Sequence, residues 1–199
     1  MRTRIPFAPL ALLAAAIALE GCASTTVHTT GTPMTQPLCV RNGPPVSALV
    51  LWEPQWRTDQ KEPARREVAA EQGIRDFVSR SGCLRAVDLR RFDTGSTAPT
   101  DAMLLDLARQ ASPAPDRLVR IVVRELGPRL IFGLPVIVEG GTEVVVDVRV
   151  LDARSARSMA SARTQWRHGG PFVIKGVRSL PQDMSAALEA SLLSGATAP

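Results

Sequence analysis

The run TEVVVDVRVLD, residues 142–152, alternates apolar and polar side chains along its length. Successive side chains of a strand point to opposite faces, so Val144, Val146, Val148 and Val150 fall on one side and Glu143, Asp147 and Arg149 on the other. The sheet that contains this strand is therefore expected to be buried on one face and wet on the other. Upstream, VSALVLW (residues 46–52) is apolar or small throughout and is bounded by Gly43-Pro44-Pro45 and Glu53-Pro54, the pattern of a strand covered on both faces.

Helices to cover such a sheet can be read from the spacing of apolar residues. Pro63 to Ser81 carries Ala70, Ile74, Phe77 and Val78 on one side, with Pro63 suited to a helix start and Gly82 to its close. Asp101 to Ala111 follows a capping Thr100 and buries Leu104, Leu107, Ala108 and Ala111. A last helix begins near Ser179, where Ser179 and Gln182 stand at capping-box spacing, and presents Met184, Ala187, Leu188, Ser191 and Leu192. Between these lie strands at Leu84–Phe92, Arg117–Leu126 and Ser158–Trp166, and a hairpin in which Gly140-Gly141 joins Leu134–Glu139 to Thr142–Asp152. The order β-α-β-α-β-β-β-α gives an α+β fold: a single domain with a mixed sheet of about five to six strands and two to three packed helices.

Length and composition agree. The chain has 199 residues, 45% hydrophobic and 22% charged, with a formal charge of +5, which fits one globular domain and excludes a disordered chain or a multi-span membrane protein.

The N-terminus carries an address. Arg2 and Arg4 precede an apolar run ending at Leu19 that is too short to span a bilayer, the layout of an export signal. Leu19-Glu20-Gly21-Cys22 resembles the lipobox of bacterial lipoproteins, although Glu20 stands where that family usually has a small or apolar residue. The resemblance implies diacylation of Cys22 and cleavage before it; the alternative is ordinary cleavage nearby, with a free thiol. Ala23 after the cysteine is compatible, in that family, with transport to the outer membrane. The expected organisation is a signal peptide at 1–21, the lipidated Cys22 and a flexible Thr- and Pro-rich tether at 22–38, an α+β periplasmic domain at 39–194 and a disordered tail at 195–199. The remaining cysteines, Cys39 and Cys83, stand just before expected strands; they form a disulfide, as export permits, or stay as two buried thiols.

No recognisable catalytic motif is present: there is no HExxH, CxxC, GxSxG or phosphate-binding loop, and the two histidines, His28 in the tether and His168 in an expected exposed loop, lack partners in sequence. Asp147 and Asp152, five apart on a strand, face opposite ways and are poor partners for acid–base work. No cofactor and no metal site is expected, and the chain is not expected to be an enzyme. Arginine supplies 22 of the 24 basic residues but is scattered, and eight aromatics without Tyr make no stacking platform, so nucleic acid is not an expected partner. The basic excess fits either a solvated surface or contact with anionic envelope polymers.

Two stretches are candidates for partner binding. Leu130 to Val138, with Leu130, Phe132 and Ile137, is nine residues without a charge, either core strand or an apolar flap. Trp52 and Trp56 flank Glu53-Pro54-Gln55, either a contact loop or a cap on the core edge.

The apolar first strand, the helix ending Ser81-Gly82-Cys83, the Glu139–Glu143 hairpin, the Val150–Ser155 turn and the closing helix together resemble a broad group of exported lipoproteins. It includes the curli-secretion lipoprotein, the lipoprotein activators of penicillin-binding proteins and the N-terminal domain of the Tol-Pal periplasmic protein. The resemblance implies a non-catalytic binding or assembly module for an envelope protein or transport component, held at the outer membrane by its lipid. A carrier of a lipid or other envelope amphiphile is the alternative.

Overall fold

A computed structural model describes residues 23–92, 95, 98–133, 137–171 and 173–194, and the backbone but not the side chains of Val87, Phe132, Gly133, Ile137 and Val138. The expected signal peptide at 1–21, Cys22 and the expected tail from residue 195 lie outside the described residues.

One sheet organises the chain. Its strands are β1 (Ser24–Thr32), β2 (Val46–Pro54), β3 (Leu84–Arg91), β4 (Arg117–Gly133), β5 (Ile137–Asp152) and β6 (Ser158–Pro171). They lie in the order β1-β6-β5-β4-β2-β3; β2 runs parallel to β3 and β4, and the other neighbours are antiparallel. The helices are α1 (Pro63–Arg80), α2 (Asp101–Gln110) and α3 (Leu180–Leu192), the last preceded by a 3-10 turn at Val177–Ser179. This is the expected α+β domain, with one strand more at its start.

The valine alternation behaves as the pleat dictates. Val144, Val146, Val148 and Val150 are buried together with Val50, Trp52, Val119, Ile121 and Val123 beneath α1 and α3, which contribute Ile74, Phe77, Met184 and Leu188. β2 is buried along nearly all its length because α2 covers its other side, where Leu49, Leu51, Leu118 and Leu151 meet Leu104, Leu105 and Ala108. Thr100 caps α2 as its sequence position requires, its hydroxyl accepting from Met103 N at 3.3 Å. Ser179 makes no such cap; its hydroxyl donates instead to Gly176 O, because the 3-10 turn already occupies the approach to α3. Cys39 and Cys83 form a disulfide with Cα atoms 5.7 Å apart, beside the starts of β2 and β3, where Val46 N donates to Cys83 O.

Two expectations are corrected. Ser24–Thr32 is no tether but an edge strand, pairing residue by residue with β6 from Ser24↔Gly169 to Thr32↔Ser161. Its residues are all exposed, so it carries no apolar period; Thr and Val favour extended backbone, and the ladder to β6 satisfies one side. The rest of the segment is also tied down, with Met34 and Leu38 buried and Leu38 N bonded to Leu192 O. Gly140-Gly141 is likewise not a turn. β4 and β5 continue past it to the pair Gly133↔Ile137, so the connection is at 134–136, outside the described residues. The two glycines are needed for close approach: a Cβ on Gly140 would lie 2.2 Å from Val173 O, and one on Gly141 2.3 Å from His168 O across the strand pair.

Candidate functional site

The polar side of the sheet gathers outward-facing charged residues from adjacent strands. α2 covers it only over β2 and the bottom of β4 and β5; beyond that, the outward residues of β4, β5 and β6 have no helix above them among the described residues. By register, Glu143, Asp147 and Arg149 of β5 share this face with Arg120 of β4, Arg163, Gln165 and Arg167 of β6, and His28 and Thr30 of β1.

Its charges form a lattice across the strands. Asp147 is the centre: Arg163 Nε donates to Oδ1 at 2.5 Å, and Arg163 Nη2 and Arg124 Nε both donate to Oδ2 at 2.9 Å. Glu143 accepts from Arg167 Nε at 3.0 Å and from Gln165. Arg149 forks onto Asp101, which lies in the first turn of α2 where a carboxylate also complements the helix dipole. Glu53 at the end of β2, only 4% exposed, pairs with Arg120. Burial pushes the Asp147 carboxyl up, but hydrogen bonds from Arg163 and Arg124 outweigh it and hold the group below the ordinary carboxylate range; the same bond raises Arg163. Two open clefts indent the face. One, of about 420 Å3, lies among Thr30, Asp101, Arg120, Asp147, Arg149 and Arg163; the other, of about 630 Å3, among Arg57, Lys61, Arg66, Glu125, Arg129 and Glu143.

Such a surface is suited to recognition. Forked guanidinium groups and carboxylates held in fixed register offer alternating charge that a polar partner can match. Among the described residues, no group of three or more His, Cys, Asp or Glu side chains could hold a metal ion.

The residues singled out from sequence are placed as follows. Trp52, an expected contact residue, is only 2% exposed: it points from β2 to the helix-covered side, with the Arg91 guanidinium 6.0 Å from its ring, and a ring so enclosed offers no surface. Trp56 is half-buried against the core and directs its Nε1 toward Glu67 Oε1 at 3.4 Å, so the two indoles form the edge of the core instead of a contact loop. Leu130 is exposed at 51%, whereas the side chains of Phe132 and Ile137 lie outside the described residues. His168 is not in a loop but in β6, half-buried, stacked on Trp166 with ring centroids 5.8 Å apart and sharing a 2.8 Å hydrogen bond with Thr25 Oγ1. Sequence reasoning found Glu143, Asp147 and Arg149 as outward residues but not their pairing with Arg124, Arg163 and Asp101, which depends on register and on where α2 lands.

No protein-family model matches the chain, and no curated protein does. Among solved structures it is similar to the PelC dodecamer from Paraburkholderia phytofirmans, at 15% identity and a TM-score of 0.38, over 86% of this chain and 99% of that one. It is also similar to the lipoprotein GNA1162 from Neisseria meningitidis, at 14% identity and a TM-score of 0.36, over 73% of this chain and 96% of that one. Likeness this distant assigns no role to this chain.

Proposed function

We propose that this chain is a lipoprotein of the outer membrane whose domain faces the periplasm and acts, without catalysis, as a binding or assembly module for an envelope protein or transport component. The observation that carries the reading is the open face itself: adjacent strands β4, β5 and β6 present ordered Arg–carboxylate pairs with no helix over them among the described residues. Its central carboxylate supports binding over turnover, since Asp147 accepts from Arg163 and Arg124 and is held ionised by them, which makes it a poor proton donor near neutral pH. The lipid-carrier alternative needs room between the sheet and its helices, and buried Val50, Ile74, Phe77, Met184 and Leu188 occupy that space.

The test is affinity capture of the full-length lipidated protein from detergent-solubilised envelopes, with the Arg163→Glu/Arg167→Glu variant beside it. A stoichiometric protein partner that the variant captures several-fold less, at unchanged thermal stability, is the expected result. Equal capture by both would refute the face assignment, and lipid in place of protein would favour the carrier. Intact mass in the same experiment reports acylation of Cys22.

A further inference from the structure

The strand register puts the anchor and the apolar hairpin at one end of the molecule. Ser24 pairs with Gly169, Gly169 with Gly141 and Gly141 with Arg129, so the first residue of β1 and Arg129 lie in a single row across four strands. Cys22 is two residues before Ser24, and two residues of backbone span at most about 7 Å. The lipid-bearing cysteine is thus joined almost directly to the sheet, without the long tether expected from the sequence. Leu130 and Ile131 are one and two residues beyond the row, in the direction in which the chain leaves β1 toward Cys22. β6 ends there too, and its continuation folds back so that Val173 O and Leu130 Cδ1 both crowd Gly140.

This end is also where apolar surface is left uncovered. Of the eight large apolar side chains exposed among the described residues, Leu130, Ile131, Ile174, Val177 and Val68 belong to it, Ile174 being 84% exposed. Val68 and Val177 border one groove between the first half of α1 and the start of α3. Three cations, Lys61 in the loop before α1, Arg129 in β4 and Arg178 before α3, make no ion pair among the described residues, whereas most arginines elsewhere on the surface do.

We infer that this end rests in the headgroup layer of the bilayer, with Leu130, Ile131 and Ile174 at the acyl boundary and Lys61, Arg129 and Arg178 against lipid phosphates. The inference rests on the lipoprotein reading, because acyl chains on Cys22 fix the depth. The polar layer on each side of a bilayer is roughly 5–8 Å thick, the same as the reach of two residues, so residues level with the anchor lie within it. Apolar side chains flanked by basic ones are the composition of an interfacial contact. Leu130 and Ile131 are thereby assigned to lipid, and the ion-paired face is left standing free for a protein.

The test uses the full-length, lipidated protein in vesicles of phosphatidylethanolamine and phosphatidylglycerol. A single cysteine carrying an environment-sensitive fluorophore is placed by Ile131→Cys, Ile174→Cys or, at the opposite end, Val40→Cys; with Cys39 and Cys83 bridged and Cys22 acylated, it is the one free thiol. Probes at 131 and 174 should be quenched several-fold more by bilayer nitroxide lipids than the probe at 40, and several-fold less by aqueous iodide. Equal iodide quenching at all three sites, with Cys22 acylated by mass, would overturn this inference and leave the lipoprotein reading intact. Protection from iodide without nitroxide quenching would mean a protein or a second copy covers this end, and would also overturn it. An unacylated Cys22 would overturn both.

Discussion

The two faces of the sheet use the same strands for different ends. On one, valines from β4 and β5 meet apolar side chains of α1 and α3, and the hydrophobic effect holds the layers together. On the other, arginines and carboxylates meet each other across strands and are left to solvent beyond α2. The covered face sets the stability of the domain, and the open face can change its chemistry at little cost to the fold.

Substitutions should separate the two. Leu188→Ala, beneath the sheet, should lower unfolding free energy by about 2–5 kcal/mol, measured by denaturant titration, with partner capture unaffected at temperatures where the domain stays folded. Arg120→Met is the change most able to break the division. It lies on the polar side, yet it takes a guanidinium away from the enclosed Glu53 carboxylate, so a loss of about 1–3 kcal/mol is expected. If the loss is negligible, Glu53 is satisfied without Arg120 and even this corner behaves as open surface.

A smaller effect distinguishes the centre of the lattice. The Asp147 carboxyl titrates below its unfolded value in the native state, so its contribution is present above about pH 4, the unfolded range, and disappears as pH falls through the folded value. Compared with Asp147→Asn, the wild type should be more stable at pH 7 by about 1 kcal/mol or less, because Arg124 and Arg163 are partly solvated, and the difference should vanish in acid. Least costly of all should be Arg167→Gln, whose loss of an exposed pair with Glu143 is expected to change stability by about 0–1 kcal/mol while weakening partner capture.

The covered face was the legible one. Period-two valines, the two-sided β2 and the four-three spacing of α1 are all consequences of burial, and burial leaves a pattern in a sequence. β1 left none: STTVHTTGT has no inner face, and its only signal was β-branched composition, which reads equally well as a linker. Gly140-Gly141 misled for a related reason, since glycine marks a close backbone approach as readily as a turn, and the packing of Val173 over β5 is a tertiary fact. The disulfide followed from cysteines poised before neighbouring strands. On the open face, the outward positions of Glu143, Asp147 and Arg149 were evident, but which arginine would meet which carboxylate was decided by register and by the bulge between Val123 and Glu125. For Trp52 the sequence left a contact loop and a cap on the core edge both open, because an indole at the end of a strand can turn either way, and here it turned inward.

The central claim is that the ion-paired face is where a protein partner sits. Site-specific photo-cross-linking in intact cells tests it most directly, with the photoreactive side chain at Arg163 or Gln165 on that face and at Glu71 or Gln72 on α1, on the other side of the molecule. Discrete protein adducts from positions 163 and 165, and none from 71 and 72, are predicted; adducts confined to α1, or none from the open face, would contradict the account.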